Sequence, residues 1–421
     1  MTIMQYSKKC LQLTGAVVIL SSAAISTYAT GFDLPDQDAF AIGRGMAFVA
    51  TADNPSAIYY NPAGIAQLTG NNLRAGIYGV YVDPSYTPPG GGHTYHNEDK
   101  LHAIPQFYYT YGRTNWPVSF GLGVYSPFGL SLKWPQDTGF RTIATQGALT
   151  TVAINPVVAF KLPYNLSIGG GVVVDYANVD LQQGLTPFPN NDLFRIKGDG
   201  WGIGYNLGLL WQPHEKISIG ASFRSAITAN LNGQTESEMN SVQPTMYSSA
   251  SADFPLPLKV IFGISYRPTP KWNFEFDADY THWDSLGTVN IHQASPPPIL
   301  PLSDVPLTLD WQSSWYYEFG VTRYFDNGWH VSAGYIFNEN SVPDAHYTPL
   351  VADLDRHFFS IGTGFKGKCF DFDIAYQFGY GPTRTVTGSA PPLGYPSTYH
   401  PADGDYGSIS HAVAASVGWH F

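Results

Sequence analysis

The sequence predicts an all-β chain, a fourteen-stranded antiparallel transmembrane β-barrel with an N-terminal plug, or hatch, of short helices and turns. Three observations predict it: apolar–polar alternation of period two, alternation of short with long connections, and an export signal ahead of a chain with no helix-length apolar run.

The export signal comes first along the chain. Lys8 and Lys9 form a positive n-region, an apolar core runs from Leu11 to Ile25, and small residues lead to Thr27-Tyr28-Ala29. That core is too short and too rich in serine to span a bilayer as an anchor. Cys10 precedes it, so it is wrongly placed for a lipoprotein cysteine. Residues 1–29 are therefore expected to be a cleaved signal peptide, 30–70 the plug and 71–421 the barrel. Cleavage removes Lys8 and Lys9, leaving 19 Lys+Arg against 32 Asp+Glu and a formal charge of −13. So acidic a chain lacks the basic face that nucleic acid requires. Cys369 is then the sole cysteine, which excludes an internal disulfide.

Composition fits a barrel of the Gram-negative outer membrane. Charged residues make up 13% of the 421 and aromatic residues 15%, while mean hydropathy is only −0.11. Strands that alternate between lipid and lumen cancel in any such average. The alternation is plain in Phe370-Asp371-Phe372-Asp373-Ile374-Ala375-Tyr376-Gln377-Phe378 and in Trp272-Asn273-Phe274-Glu275-Phe276-Asp277-Ala278-Asp279-Tyr280. Further stripes join Trp329, Val331, Ala333, Tyr335 and Phe337, and Ile217, Ile219, Ala221 and Phe223. Each stripe is one face of a strand. Soluble sheets alternate too, but here aromatic residues bracket the stripes, as interfacial girdles require. Glu275, Asp277 and Asp279 on the opposite face would be costly in a dry core and are expected to face a wet lumen.

Strands are expected near 71–83, 102–113, 117–132, 145–161, 166–182, 200–212, 216–231, 255–268, 271–286, 314–325, 328–340, 354–366, 369–380 and 408–421. Most exceed the roughly 9–11 residues of a tilted crossing. Tight links such as Arg113–Pro117, Lys161–Asn165, Gln212–Lys216 and Phe325–Trp329 alternate with long polar ones such as 231–255, 286–314 and 380–408. That is the pattern of periplasmic turns and external loops, and an even strand count leaves both termini periplasmic. The last stripe, Val413, Ala415, Val417, Trp419, Phe421, ends in the phenylalanine that barrel-assembly machinery reads in many such proteins. Residues 30–70 do not alternate, yet Phe40, Ile42, Met46, Phe48, Val49, Ile58, Tyr59, Tyr60, Ile65 and Leu68 are too many apolar groups for an exposed tail. A barrel of this size has room for them inside.

Across nearly the whole mature length the chain resembles the FadL family of outer-membrane long-chain fatty acid transporters. The carriers are Gly31-Phe32, Gly43-Arg44-Gly45, Asn61-Pro62-Ala63, Gly200-Trp201-Gly202-Ile203-Gly204-Tyr205-Asn206, Phe223-Arg224-Ser225, Tyr280-Thr281-His282-Trp283 and Ser341-Val342-Pro343-Asp344. The resemblance implies a hydrophobic ligand, a fatty acid or a hydrocarbon, captured in an outer groove and passed to a pocket in the lumen. Movement of the N-terminus then opens a path to a side opening in the third strand, so the ligand leaves into lipid. It implies ligand contact and gating for Phe32, a plug motif in Asn61, Pro62 and Ala63, and a kink at Ser126, Pro127, Phe128 and Gly129. The kink has a physical reason of its own, since proline cannot donate to the ladder and glycine weakens it.

One departure bears on the ligand. Where fatty-acid members carry basic headgroup anchors, Gln183 and Gln312 stand here, and an amide offers no ion pair. Arg195 or Lys197 could substitute, and a neutral hydrocarbon is as compatible as a fatty acid. No metal site, cofactor or catalytic constellation stands out: His214-Glu215 lacks a second histidine, and Gly263-Ile264-Ser265-Tyr266-Arg267 lacks the closing glycine of a nucleophile elbow. The expectation is a transporter and not an enzyme, monomeric, with outer-membrane lipid and the assembly machinery as its other partners. A general porin or structural barrel is the alternative, and an outer-membrane hydrolase a more distant one.

Overall fold

The computed structural model describes residues 31–189, 192–239 and 243–421; the signal read in residues 1–29 lies outside them. All sheet segments belong to one antiparallel sheet. It makes fourteen crossings and closes on itself. They are β1 (Gly70–Thr87), β2 (Leu101–Gly112), β3 (Val118–Tyr125 with Gly129–Lys133), β4 (Gln146–Leu162), β5 (Leu166–Gln183), β6 (Asp192–His214) and β7 (Ile217–Arg224 with Ile227–Met239). Then come β8 (Gln243–Leu256 with Lys259–Thr269), β9 (Trp272–Thr281 with Thr288–Gln293), β10 (Asp304–Thr308 with Ser314–Tyr324), β11 (Trp329–Asn338), β12 (Arg356–Lys366), β13 (Phe370–Val386) and β14 (Gly404–His420). Closure runs from Asn72↔His420 to Thr87↔Asp405. The first and last strands thus leave no edge unpaired between them.

The period-two stripes face out as expected. Ile374 and Tyr376 on β13, Ile264 on β8 and Val413 on β14 are exposed, while Asp371, Asp373 and Ala375 point inward. Toward the tight turns the wall carries exposed Trp116, Trp211, Trp272 and Trp329, with the Arg113 and Arg323 guanidiniums each 4.8 Å from an indole ring. At the other end Tyr335 and Tyr376 hydrogen-bond to His357 and His411 at 2.8 Å. These are two aromatic belts with polar tips at the level of the headgroups.

Strand boundaries differ from expectation on one side only. The tight turns fall where they were read, but 231–255 is not a loop: Ile227–Met239 and Gln243–Leu256 pair as a hairpin above the belt. Thr288–Gln293 likewise pairs with Asp304–Thr308 inside 286–314. These extensions alternate, with Ile227, Ala229, Leu231, Val289 and Ile291 on a buried face, but they lack aromatic ends and so read as loop.

Residues 31–69 lie inside the sheet. They contain α1 (Ala39–Gly43), α2 (Ala57–Tyr60) and a 3₁₀ turn (Pro62–Gln67), and nearly every side chain is buried. α1 is capped by Asp38, which accepts from Phe40 N at 3.1 Å. Asp38 also holds Arg74 of β1, whose other nitrogens reach Asp371 at 2.8 Å and Asp373 at 2.6 Å on β13. Backbone meets backbone where the wall is glycine. A Cβ on Gly334 would sit 2.1 Å from Gly45 N, and one on Gly208 would sit 2.2 Å from Asn61 Oδ1.

The sequence reading of Glu275, Asp277 and Asp279 as lining a wet lumen needs correction. All three point inward, but they are buried against the N-terminal segment. Asp277 Oδ2 accepts from Phe48 N and Val49 N at 2.8 Å, and Glu275 Oε1 from Ala50 N at 2.7 Å and Thr51 N at 3.0 Å. Asp279 Oδ2 meets the Lys259 ammonium at 2.8 Å, so the partners are backbone donors and a buried cation. Arg74→Met should remove the cation shared by Asp38, Asp371 and Asp373 and cost about 3 kcal/mol, since Asp371 and Asp373 keep only His420 and His330 and Asp38 keeps only neutral donors. Urea unfolding of the barrel in lipid vesicles measures this; unchanged stability would mean that the carboxylates find other partners.

Candidate functional site

The third strand is interrupted between Tyr125 and Gly129. Tyr125 pairs with Ala153 and Gly129 with Thr150, so three residues of β3 oppose two of β4. That is a bulge, and Pro127 within it supplies no donor. Thr151 compensates, its hydroxyl accepting from Phe128 N at 3.0 Å while its carbonyl accepts from Ser126 Oγ at 2.5 Å. The kink also turns β3 away from β2. Their shared ladder runs only from Phe107↔Val124 to Gly112↔Ser119, so among the described residues Leu101–Gln106 and Gly129–Lys133 share none. The wall has a side gap there.

The N-terminal segment closes this gap from within. Leu34 N donates to Pro127 O at 2.9 Å, Gly129 N to Phe32 O at 2.8 Å, and Gln37 Nε2 to Ser126 O at 2.6 Å. Asp33 and Phe128 form an antiparallel bridge. From the β2 side Gln106 Nε2 donates to Asp36 O at 3.2 Å and Tyr108 Oη to Gln37 O at 3.1 Å. Burial pushes the Asp36 carboxyl up to about 7, so it holds a proton well into the neutral range behind the opening.

Phe32 is 3% exposed, and its ring sits in an aromatic cage. The ring centroids of Trp283, Trp311, Phe254 and Phe128 lie 4.9, 5.5, 5.6 and 5.8 Å away. Three of the four come from wall breaks: Phe128 from the kink, Trp283 from the break in β9, and Trp311 from the break in β10. Phe254 precedes the break in β8. A regular strand holds its side chains at the wall, so large rings reach the middle only where the chain itself bends in. The indole Nε1–H groups of Trp283 and Trp311 find no acceptor among the described residues.

The plug-motif residues act on the segment's shape. Asn61 donates to Val49 O at 2.8 Å and to Leu209 O of β6 at 2.9 Å, and its Oδ1 accepts from Ala63 N at 3.2 Å at the head of the 3₁₀ turn. Pro62 fits there because the first turn needs no donor from it.

Toward the long loops lies a cleft of about 380 Å³. Leu185, Phe194, Ile196, Leu309, Leu350 and Leu393 help line it, and no Lys, Arg, Asp or Glu does. Gln183 stands at its rim, but Gln312 is exposed elsewhere, its N–H donating to Ser341 O at 2.8 Å, so the two amides are not brought together. Arg195 and Lys197 do not line the cleft either. They alternate with Phe194 and Ile196, which do, and Arg195 is paired with Asp180 at 2.6 Å. Sequence reasoning missed Trp311, Phe254 and Lys259. Large apolar groups inside otherwise polar connections were the available signal.

A closed, lipid-girdled barrel whose lumen is filled by its own leading segment, with a side gap and apolar cavities, defines an outer-membrane barrel protein. Comparison with known proteins narrows this. Residues 20–417 match the family described as "Outer membrane protein transport protein (OMPP1/FadL/TodX)", and the chain belongs to that family. The "Long-chain fatty acid transport protein" of Escherichia coli O157:H7 is 23% identical, covering 89% of this chain and 93% of its own. Among solved structures, a Pseudomonas aeruginosa FadL homologue superimposes with a TM-score of 0.80 at 19% identity, covering 93% of this chain and 100% of that one. The Ralstonia pickettii toluene transporter TbuX gives 0.71 at 16% identity, covering 91% and 98%.

Gly31 has φ +62°, and a Cβ there would lie 2.7 Å from Trp311 and 2.8 Å from Trp283. Gly31→Ala should therefore drive the Phe32 ring from its cage at a cost of about 1–3 kcal/mol. The readout is acrylamide quenching of tryptophan emission, which should rise; quenching equal to the parent's would mean that the cage absorbs the methyl group.

Proposed function

We propose that this protein takes up small hydrophobic molecules, fatty acids or hydrocarbons, across the outer membrane by passive diffusion. The observation that carries this reading is one contiguous set of buried apolar side chains. It runs from Leu309 and Leu350 at the outer cleft, through Trp311 and Phe32, to Phe128 at the side gap. A ligand leaving water for such surroundings gains roughly 0.8 kcal/mol for each buried methylene. Delivery through the gap into lipid keeps it in apolar surroundings, so no energy source is needed beyond the gradient.

In this reading residues 31–69 are the hatch. Phe32 is the gating residue, Asn61, Pro62 and Ala63 keep the hatch in shape, and Ser126–Gly129 frame the exit. Gln183 at the rim of the cleft can hydrogen-bond a headgroup without demanding a charge. The protein works as a monomer without cofactor or catalytic step, since every element of the route lies within one chain.

Two measurements test the proposal. In planar bilayers the intact protein should conduct poorly, and a variant lacking residues 32–69 should conduct several-fold more; high steady conductance of the intact protein would instead favour a general porin. Deleting Pro127 should let the β3–β4 ladder run on and draw β3 back toward β2. Uptake of a fatty acid or toluene into vesicles should then drop about tenfold or more while the barrel still assembles. Undiminished uptake would rule out this exit.

A further inference from the structure

Phe32 is followed by a carboxylate with a partner of its own. Lys259, at the break in β8, places its Nζ 2.5 Å from Asp33 Oδ2 and 2.8 Å from Asp279 Oδ2. All three side chains are at most 2% exposed. Two carboxylates thus share one ammonium, and the second oxygens, Asp33 Oδ1 and Asp279 Oδ1, have no hydrogen-bond partner among the described residues. Arg224 lies beside Lys259 along a void of about 20 Å³ next to Pro127 and Phe128. Its guanidinium stacks 3.5 Å from the Tyr59 ring, and its Nε–H is unpartnered.

We propose that Lys259 is the headgroup anchor of the inner site, and that Phe32-Asp33 is a built-in occupant which a hydrophobic carboxylate replaces. This rests on the transport reading above and adds a ligand class to it. The ring of Phe32 fills the aromatic cage as an apolar tail would, and the adjoining carboxylate meets the ammonium as a headgroup would. The void holds little more than one water, so an arriving ligand must displace something. The dipeptide is what stands in the cage.

The exchange is selective because of charge. When an incoming carboxylate takes the place of Asp33, the charge around Lys259 is unchanged. A neutral alcohol of equal length must draw Asp33 off its cation and supply nothing in return, which is costly in a buried site. The two neighbours of Asp33 carry bonds that cover the side gap, Gly129 N to Phe32 O and Leu34 N to Pro127 O. Displacing Asp33 therefore loosens the cover at the exit. Charge is read deep in the barrel, which fits an outer cleft lined by no Lys or Arg.

The test compares dodecanoate with dodecanol by equilibrium dialysis against the processed protein in amphipol. The parent should bind dodecanoate more tightly. Asp33→Asn keeps the shape, leaves the Lys259–Asp279 pair whole and removes the competitor, so both ligands should bind at least about tenfold tighter, the strength of one charge-assisted hydrogen bond. Adding Lys259→Gln should abolish the preference for the carboxylate. Affinities of Asp33→Asn equal to the parent's overturn the built-in occupant, and a preference that survives Lys259→Gln overturns the anchor. Should the double variant not assemble, Asp33→Asn alone decides. Failure of either ligand to bind any variant would strike the transport reading itself, and with it the anchor.

Discussion

Glu275 and Asp277 reach into the lumen from one face of β9 and between them accept four consecutive backbone N–H groups, Phe48 to Thr51. Irregular backbone at membrane depth is tolerable only where its polar groups find partners within the protein. A folded-in segment of turns cannot supply these partners to itself, and the carboxylates supply them. Arg44, one turn earlier, offsets part of the charge through Glu275 at 3.1 Å. The wall and the segment thus complete each other's hydrogen bonding. Neither set of groups is satisfied without the other, so barrel and segment form one core.

The same dependence explains how the wall can be broken without leaking. β3, β7, β8, β9 and β10 are each interrupted. At the kink, donors of the leading segment replace the lost ladder, and at the other breaks the chain turns inward to deliver Trp283, Trp311 and Lys259. Regular strands would close the barrel more firmly but could place no large ring near its axis. The breaks are therefore both the weak places of the sheet and the source of the inner site. Residues 32–34 touch cage and gap together because the two share Phe128.

Much of this was legible in the sequence, and the exceptions have physical causes. Strands at the lipid belt announced themselves because lipid and lumen enforce strict alternation. The hairpin extensions did not, because they alternate without the aromatic ends that mark a membrane crossing and their outer faces are polar. Glycine counts as a weak strand former, and nothing local marks Gly208 or Gly334 as places where Asn61 and Gly45 press against the wall. The inward face of β9 was readable, yet its solvent was not: three acids look the same whether they meet water or the N–H groups of a segment more than two hundred residues away. The kink was found because proline and glycine act locally. The cage was not, because it joins residues 32, 128, 254, 283 and 311 only through closure.

The separation of charge from apolar surface along the route follows from these constraints. Carboxylates and cations meet where the leading segment is fastened, deep in the lumen, at Arg74, Arg44 and Lys259, and again where the outer loops are fastened, at Arg141 and Arg384. The outer cleft itself is lined by no Lys, Arg, Asp or Glu. In the proposed route a solute entering from outside is therefore sorted first by how much apolar surface it can bury. In the proposed route the ammonium that fastens Asp33 is also the group that would receive a carboxylate, so recognition and opening would be one event at Asp33 and Lys259.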